Sequence, residues 1–341
     1  MERLLSVVIP CYNSEEYMSK AVASALSGGE DVEVIIVDDG STDTTPELAD
    51  VYAAKFPGRV QVIHKENGGH GDAVTQGLYK ATSTYIKILD SDDWLDKKAF
   101  RRVLEVLKKH RKPEEQIDCV ISNYVYEKVG KRYKRVMRYH GSLPENKVIG
   151  WDTGDKIKFA KSQYVLMHSV IYRRQMLVDM GLVLPKHTFY VDNIYVFEPM
   201  QHVKKLMYVN EDLYRYYIGR DDQSVNEKNM IKRIDQHINV TKIIIDYFSE
   251  NKPDNPQLYR FQRQYVDMMM CIASSISLVA GTKEMLEKKK DIWNYLKEKD
   301  PALYKELRHT LLGVSMNLPG PVGRKLSVAG YRIVQKLFGF N

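Results

Sequence analysis

Apolar residues in the first hundred positions fall into short blocks that hardly alternate with polar ones. Residues 4–10 (LLSVVIP) and 32–37 (VEVIIV) are nearly continuous, and residues 60–64 and 85–89 form shorter blocks of the same kind. Such runs predict strands buried on both faces. Between them the spacing lengthens to that of helices. Residues 15–26 predict one, with Ser14 as its cap, Glu15 and Glu16 at its positive end and Gly28-Gly29 as its stop. A second opens at Thr44 or Thr45 with Pro46 in its first turn, and a third covers residues 73–81. Strands alternating with helices predict a mostly parallel, right-handed, doubly wound sheet.

Downstream, residues 100–110 (FRRVLEVLKKH) read as an amphipathic helix with Val103, Leu104 and Leu107 inward, and residues 119–124 as another strand. Residues 127–140 predict a basic hairpin turning at Gly130-Lys131, either a lysine-protected edge or a surface for an anionic acceptor. From Met230 the pattern becomes that of long helices: residues 231–250, 257–279 and 282–299, then a helix opening at Pro301. The chain therefore divides into an α/β domain, residues 1–230, and a helical domain, residues 231–341, suited to acceptor binding, oligomerisation or membrane contact. Met268, Met269 and Met270, with Ile272, Ile276 and Leu278, predict a core or a homo-oligomer interface.

Composition adds few constraints, and charge adds one. The 341 residues are 44% hydrophobic and 28% charged, as in ordinary globular proteins. No run is apolar over the roughly 18 residues a spanning helix needs, and the N-terminus enters a strand without a secretory signal, so a cytoplasmic protein is expected. Cys11, Cys119 and Cys271 lie too far apart to suggest a disulfide framework or a zinc site. The net charge of +7 resides entirely in residues 231–341, which hold 18 Lys/Arg against 11 Asp/Glu. From Arg308 onward, Arg308, Arg324, Lys325, Arg332 and Lys336 meet no acid, and Val328, Tyr331, Ile333, Val334, Leu337 and Phe338 follow at helical spacing. Such an ending can lie peripherally on the inner face of an anionic membrane, or pack on a neighbouring subunit or on its own domain. With no nucleic-acid-reading motif, no nucleic-acid partner is expected.

The candidate chemistry sits where the strands end. Residues 85–94 (YIKILDSDDW) place Asp90, Asp92 and Asp93 directly after a buried strand. Three acids so close together need a hard cation or hydrogen-bond donors, unless they form a solvated turn with Asp93 capping the next helix. Asp39, Asn67 and Asp90 follow three different strands, and parallel order brings them to one edge, where open α/β sheets bind nucleotides. No G-x-G-x-x-G or Walker sequence is present, which disfavours dinucleotide enzymes and P-loop kinases. The glycines of Gly68-Gly69-His70-Gly71 allow backbone to approach a ligand, or make a plain turn. Asp192, in residues 189–193 (FYVDN), reads by itself as a helix cap.

Taken together, Pro10-x-Tyr12-Asn13, Asp38-Asp39-Gly40-Ser41-x-Asp43, Asn67-x-Gly69 and Asp90-x-Asp92-Asp93 resemble the motifs of family 2 glycosyltransferases of the GT-A fold, closely over the first hundred residues and loosely to residue 230. The resemblance implies a metal-dependent, inverting transfer of a hexose from a UDP-sugar, with Mn²⁺ or Mg²⁺. The acceptor would be a glycan, glycolipid or glycoprotein hydroxyl, as in a cell-surface polysaccharide or teichoic acid. Pro10, Tyr12 and Asp39 would hold uridine, and Asp90 the ribose or phosphates, with Asn13, Asn67, Gly69, Gly71 and Ser91 around them. Asp92 and Asp93 would reach the metal, and Asp192 would be the base, although Val191 stands where relatives carry Glu. Many relatives have Ala-Arg-Asn where this chain has Ala73-Val74-Thr75. His70, Asp72 or Arg220 would then compensate for the missing Arg, with Arg220 over the pyrophosphate, and His168 is a further sugar-hydroxyl candidate. A nucleotidyltransferase, which would release pyrophosphate, and a non-catalytic sugar-nucleotide or glycan-binding module remain the alternatives.

Overall fold

The computed structural model describes residues 3–130, 133–160, 162–219 and 226–338, the last five by backbone alone. The chain forms two compact units, Met1–Tyr217 and Ile218–Asn341.

In the first unit, one sheet collects β1 (Leu5–Cys11), β2 (Val32–Asp38), β3 (Val60–His64), β4 (Tyr85–Ile88), β5 (Trp94–Leu95), β6 (Cys119–Lys128), β7 (Arg135–Met137), β8 (Val148–Ile149), β9 (Val170–Arg173) and β10 (Leu206–Ile218). Its order is β3-β2-β1-β4-β9-β6-β10-β5, with β7 on β6 and β8 on β10. Every residue of β1, β2 and β4 is buried, as their unbroken apolar pattern requires. The ladders from β3 to β4 are parallel, and β9 then pairs antiparallel with both β4 and β6. The parallel winding thus stops where crossover helices run out. The C-terminal ends of β1 to β4 share one edge, and the loops there carry the candidate chemistry.

The flanking helices are α1 (Met18–Leu26), α2 (Thr45–Lys55), α3 (His70–Lys80), α4 (Lys97–Lys109), α5 (Arg174–Asp179) and α6 (Asp192–Phe197). Two starts differ from the sequence pattern. Ser14 does not cap α1, which begins four residues later without a side-chain cap. The Ser14 hydroxyl is engaged instead by Ser91 Oγ at 2.8 Å, and its N–H donates to Thr45 Oγ1 at 2.7 Å. Helix α3 begins three residues earlier than residue 73, so His70 occupies its first turn. Asp93 caps nothing: Asp96 is the cap of α4 and accepts from Lys98 N and Ala99 N.

The second unit holds α7 (Glu227–Lys232), α8 (Ile234–Glu250), α9 (Pro256–Ala280), α10 (Lys283–Lys299), α11 (Pro301–Arg308), α12 (Leu311–Met316) and α13 (Gly320–Phe338). Helix α9 is its axis, packed against α8, α10, α12 and α13. Asn255 caps α9 through Gln257 N and Leu258 N, and Gly281 ends it with φ +67°. Met268, Met269 and Met270 are all buried within this unit, so they form core. None of the described helices is long and apolar enough to cross a membrane.

Candidate active site

The turn after β4 is closed by the Asp93 N–H donating to Asp90 O at 3.0 Å. This places three carboxylates in three different environments. Asp93 is fully buried; its Oδ2 accepts from Tyr214 Oη at 2.7 Å and its Oδ1 from Tyr217 N at 2.7 Å. Burial, then the neighbouring Asp92 and Asp90, push its pKa well above the usual carboxylate range. Asp90 faces His70, whose Nε2 lies 2.9 Å from Asp90 Oδ1. Burial works against its charge, but His70, His168 and Lys87 outweigh burial and hold its pKa below normal. His70 shifts the opposite way: despite burial, Asp90, Asp192 and Asp39 raise its pKa. Asp92 is half-buried in the middle of the turn.

His168 lies beneath this turn. It is 6% exposed, and neither ring nitrogen has a hydrogen-bond partner. The rings of Tyr216, Tyr214 and Tyr124 surround it at 4.3, 4.6 and 5.8 Å between centroids. Its Nε2 points at Asp90 Oδ2, 3.6 Å away, and Asp93 Oδ2, 3.8 Å away. Burial lowers its pKa to about 4, so the ring is neutral at physiological pH. Lys87, buried in β4, fixes the His168 backbone by donating to the carbonyls of Met167, His168 and Val170 at 3.2, 2.6 and 3.2 Å.

The residues fit a divalent cation. Asp90, Asp93 and His168 each offer a ligand atom, all within 4.8 Å of one another; carboxylate oxygens suit Mn²⁺ or Mg²⁺, and a neutral imidazole beside them favours the transition metal Mn²⁺ over Mg²⁺. This group differs from the Asp92–Asp93 pair read from sequence: His168 joins it and Asp92 does not. Both Asp93 oxygens are already satisfied by β10, through Tyr214 Oη and Tyr217 N, whereas Asp90 and Asp92 are only partly buried.

The glycine loop packs differently from a simple ligand cradle. Asp39 is buried and accepts from Gly68 N at 2.8 Å, Gly69 N at 2.7 Å and Lys65 Nζ at 2.5 Å, while Asn67 Nδ2 donates to its backbone carbonyl. Gly69 has φ +83°, and a Cβ there would lie 2.9 Å from His187 N; one on Gly71 would lie 2.6 Å from Pro185 O. Both glycines are therefore required by the segment leading to α6. That segment holds two further left-handed residues, His187 and Tyr190. Asp72 is buried and paired with Lys65 at 2.8 Å and Lys186 at 3.5 Å, so it is committed within the loop. Val74, in the place of the relatives' Arg, is buried.

Asp192 is the first residue of α6, whose cap position is Val191 without a side-chain cap bond. Burial raises its pKa to about 6, against the pull of His70 and the helix-start amides and with a push from Asp90. Pro10 is buried one residue before the end of β1, Tyr12 just after the strand stands 54% exposed, and Asn13 takes φ +48° while its Oδ1 accepts from Thr42 N. The structure thus gathers Asp39, Asn67, Gly69, Gly71, His70, Asp90 and Asp192 around the ends of β2 to β4. Arg220 lies outside the described residues. Sequence reading missed Lys65, Lys87 and Tyr214; an uninterrupted strand containing a lysine was the only local signal, and it concerned Lys87. Tyr214→Phe should keep the ring packing but strand the Asp93 carboxyl, lowering stability by about 1–3 kcal/mol in denaturant titration; an unchanged midpoint would show that Tyr214 Oη does not hold the turn.

The model of glycosyl transferase family 2 matches residues 6–181. The chain is 26% identical over 302 residues to the Bacillus subtilis putative glycosyltransferase EpsH, covering 84% of this chain and 81% of EpsH. Its fold is similar to S. aureus TarS 1–349, solved in complex with UDP-GlcNAc: TM-score 0.68, 18% identity, 98% of this chain and 91% of that one. It is also similar to the mannosyltransferase PcManGT from Pyrobaculum calidifontis, solved with GDP-Man and Mn²⁺: TM-score 0.53, 14% identity, 99% and 88% coverage. With an α/β sheet of GT-A type, acids gathered at its strand ends and a family model spanning more than half its length, the chain belongs to glycosyl transferase family 2 and is a glycosyltransferase.

Proposed function

We propose that the enzyme transfers a hexose from a UDP-sugar, with inversion, to a hydroxyl of a glycan or glycoconjugate acceptor. The observation that carries this reading is the opposite tuning of two acids beside one another: Asp90 is held ionised, while Asp192 is raised to about 6. Acids pushed apart in this way divide into a permanently charged binding group and a proton acceptor working near neutrality. The TarS complexes with UDP-GlcNAc and UDP support a uridine nucleotide, and the Mn²⁺ in PcManGT supports a metal.

In this reading Tyr12 offers its exposed ring to the base, with Pro10, Asn13 and Asp39 shaping the pocket and Asn67, Gly69 and Gly71 forming its rim. Asp90 and Ser91 meet the ribose and phosphates. Asp92, Asp90 and the neutral His168 would hold the divalent cation, which would supply positive charge to the leaving diphosphate. His70 keeps Asp90 oriented. Asp192 accepts the proton of the acceptor hydroxyl, which attacks the anomeric carbon opposite the leaving UDP.

The deciding experiment measures nucleotide release from a panel of UDP-hexoses, with GDP-mannose as control, in Mn²⁺ or Mg²⁺ and in EDTA. One UDP-sugar should be turned over, and EDTA should abolish it. Turnover of GDP-mannose alone would overturn the uridine assignment, and turnover indifferent to EDTA the metal.

A further inference from the structure

The helical unit contains a cavity of about 320 Å³ between α9, α10, α11 and the start of α13. That is at the lower end of small-molecule sites, about 300–1,000 Å³. Its polar lining is cationic. Lys289, Lys290, Arg308 and Arg324 line it, and no carboxylate does. Other lysines of this unit have acidic partners: Lys288 pairs with Asp235 and Glu284, Lys299 with Glu250, and Lys290 of the lining lies 3.9 Å from Glu287. Among the described residues Lys289, Arg308 and Arg324 have none. Lys289 Nζ donates only to Asn317 Oδ1 at 2.8 Å, and the Arg308 guanidinium lies 5.5 Å from the centroid of Trp293. Burial, then repulsion from Arg308, lowers the Lys289 pKa to about 8. Cations gathered around one cavity without a counter-charge repel one another, a cost that a bound anion would relieve.

The remaining walls say what else the anion carries. Trp293 is buried and Tyr304 stands edge-on to it at 6.1 Å. Leu278, Leu286, Met316 and Leu318 complete the lining. Helix α13 contributes Gly320 and Arg324 to the cavity, and the same two turns leave Val322 72% and Leu326 60% exposed. An inorganic ion would use the cations and leave the apolar wall idle.

We propose that this cavity binds the phosphate of an amphiphile, seating the anion between Arg308, Lys289 and Arg324 and the first part of its apolar chain against Leu278, Leu286 and Met316. The site lies wholly within Ile218–Asn341 and is independent of the catalytic reading. The phosphate belongs either to a lipid in a bilayer or to a single carried amphiphile, such as a lipid-linked acceptor.

The test uses the full chain with three probes: decyl phosphate below its micellar concentration, inorganic phosphate, and phosphatidylcholine vesicles containing phosphatidic acid. Calorimetry should show saturable decyl phosphate binding, far tighter than inorganic phosphate, with a change in Trp293 fluorescence that is lost in Trp293→Phe. Arg308→Gln and Arg324→Gln should each weaken binding by about tenfold, the scale of a charge-assisted contact. Lys283→Gln, outside the cavity, should not. Arg324 is exposed, so its variant reports on binding even if Arg308→Gln disturbs the Trp293 packing. Vesicle sedimentation that Arg324→Gln abolishes assigns the phosphate to a bilayer lipid; decyl phosphate binding without vesicle binding assigns it to a carried amphiphile. No saturable binding of either amphiphile, equal affinity for inorganic phosphate, or affinity that both arginine variants leave unchanged overturns the proposal.

Discussion

Asp192→Asn is expected to lower the transfer rate by about 10²–10⁴-fold, the usual contribution of a positioned general base. It should leave UDP-sugar affinity intact, because the donor contacts come from other residues. The parent enzyme should also lose activity as pH falls through about 6, where the Asp192 carboxyl takes up its proton. Stability should move in the opposite sense. The folded-state pKa of Asp192 lies above its unfolded value, so protonation favours the fold: this group's contribution is fully present below about pH 4 and is lost as pH rises through 6. At neutral pH Asn removes that cost, so the variant should be no less stable, and more stable by at most about 3 kcal/mol before solvent screening reduces it. The combination separates the base from a structural helix-start residue, whose loss would lower the melting temperature and spare the rate. An Asp192→Asn enzyme with full transfer, or one inactive only because it has unfolded, would remove Asp192 from the mechanism. A rate profile without an acid limb near 6 would do the same.

Asp92→Ala is expected to abolish the metal dependence of donor binding. Titration of the parent enzyme with the UDP-sugar should show affinity that falls in EDTA. In the variant, affinity with and without Mn²⁺ should coincide at the weak value, and transfer should drop at least about 100-fold. Asp92 is the informative position because Asp93 is held by Tyr214 and Tyr217 and Asp90 by His70, so substituting Asp92 leaves both of those arrangements in place. Folding should be little affected, since its side chain is half-exposed. Asp93→Ala, by contrast, should act mainly on stability, because its oxygens serve Tyr214 and Tyr217. If Asp93→Ala removes metal dependence and Asp92→Ala does not, the cation belongs with Asp90, Asp93 and His168 in the arrangement their side chains already approach.

The reading of these acids shows where local sequence stops being informative. Strands β1 and β2 were legible because a continuous apolar block can only be buried on both faces, and parallel order follows from helices placed between such blocks. That the loops after β2, β3 and β4 meet at one edge follows from the same order, so Asp39, Asn67 and Asp90 could be grouped before any coordinates. Of the antiparallel half only β6 and its hairpin with β7 were legible; the places of β9 and β10 were not, since β9 pairs with strands far away in the chain and β10 carries a mixed pattern. Ser14 illustrates a local rule overridden: a good cap residue was taken by Ser91, 77 positions onward.

By itself the sequence determined the layered α/β architecture, the helical texture of the last third, its excess of positive charge and which carboxylates reach the strand edge. These depend on periodicity, composition and order along the chain. Only the tertiary structure decided what each carboxylate does there. Asp93 is made structural by Tyr214, 121 residues away; Asp90 is held ionised by His70; Asp192 is lifted toward neutrality by burial. It likewise decided that His168 is an unpartnered neutral ring, and that Lys289 and Arg308 face one another without an acid. The reason is physical: desolvation and Coulomb interaction act through space over a few ångströms, and the partners that set them are brought together by folding, not by position in the chain.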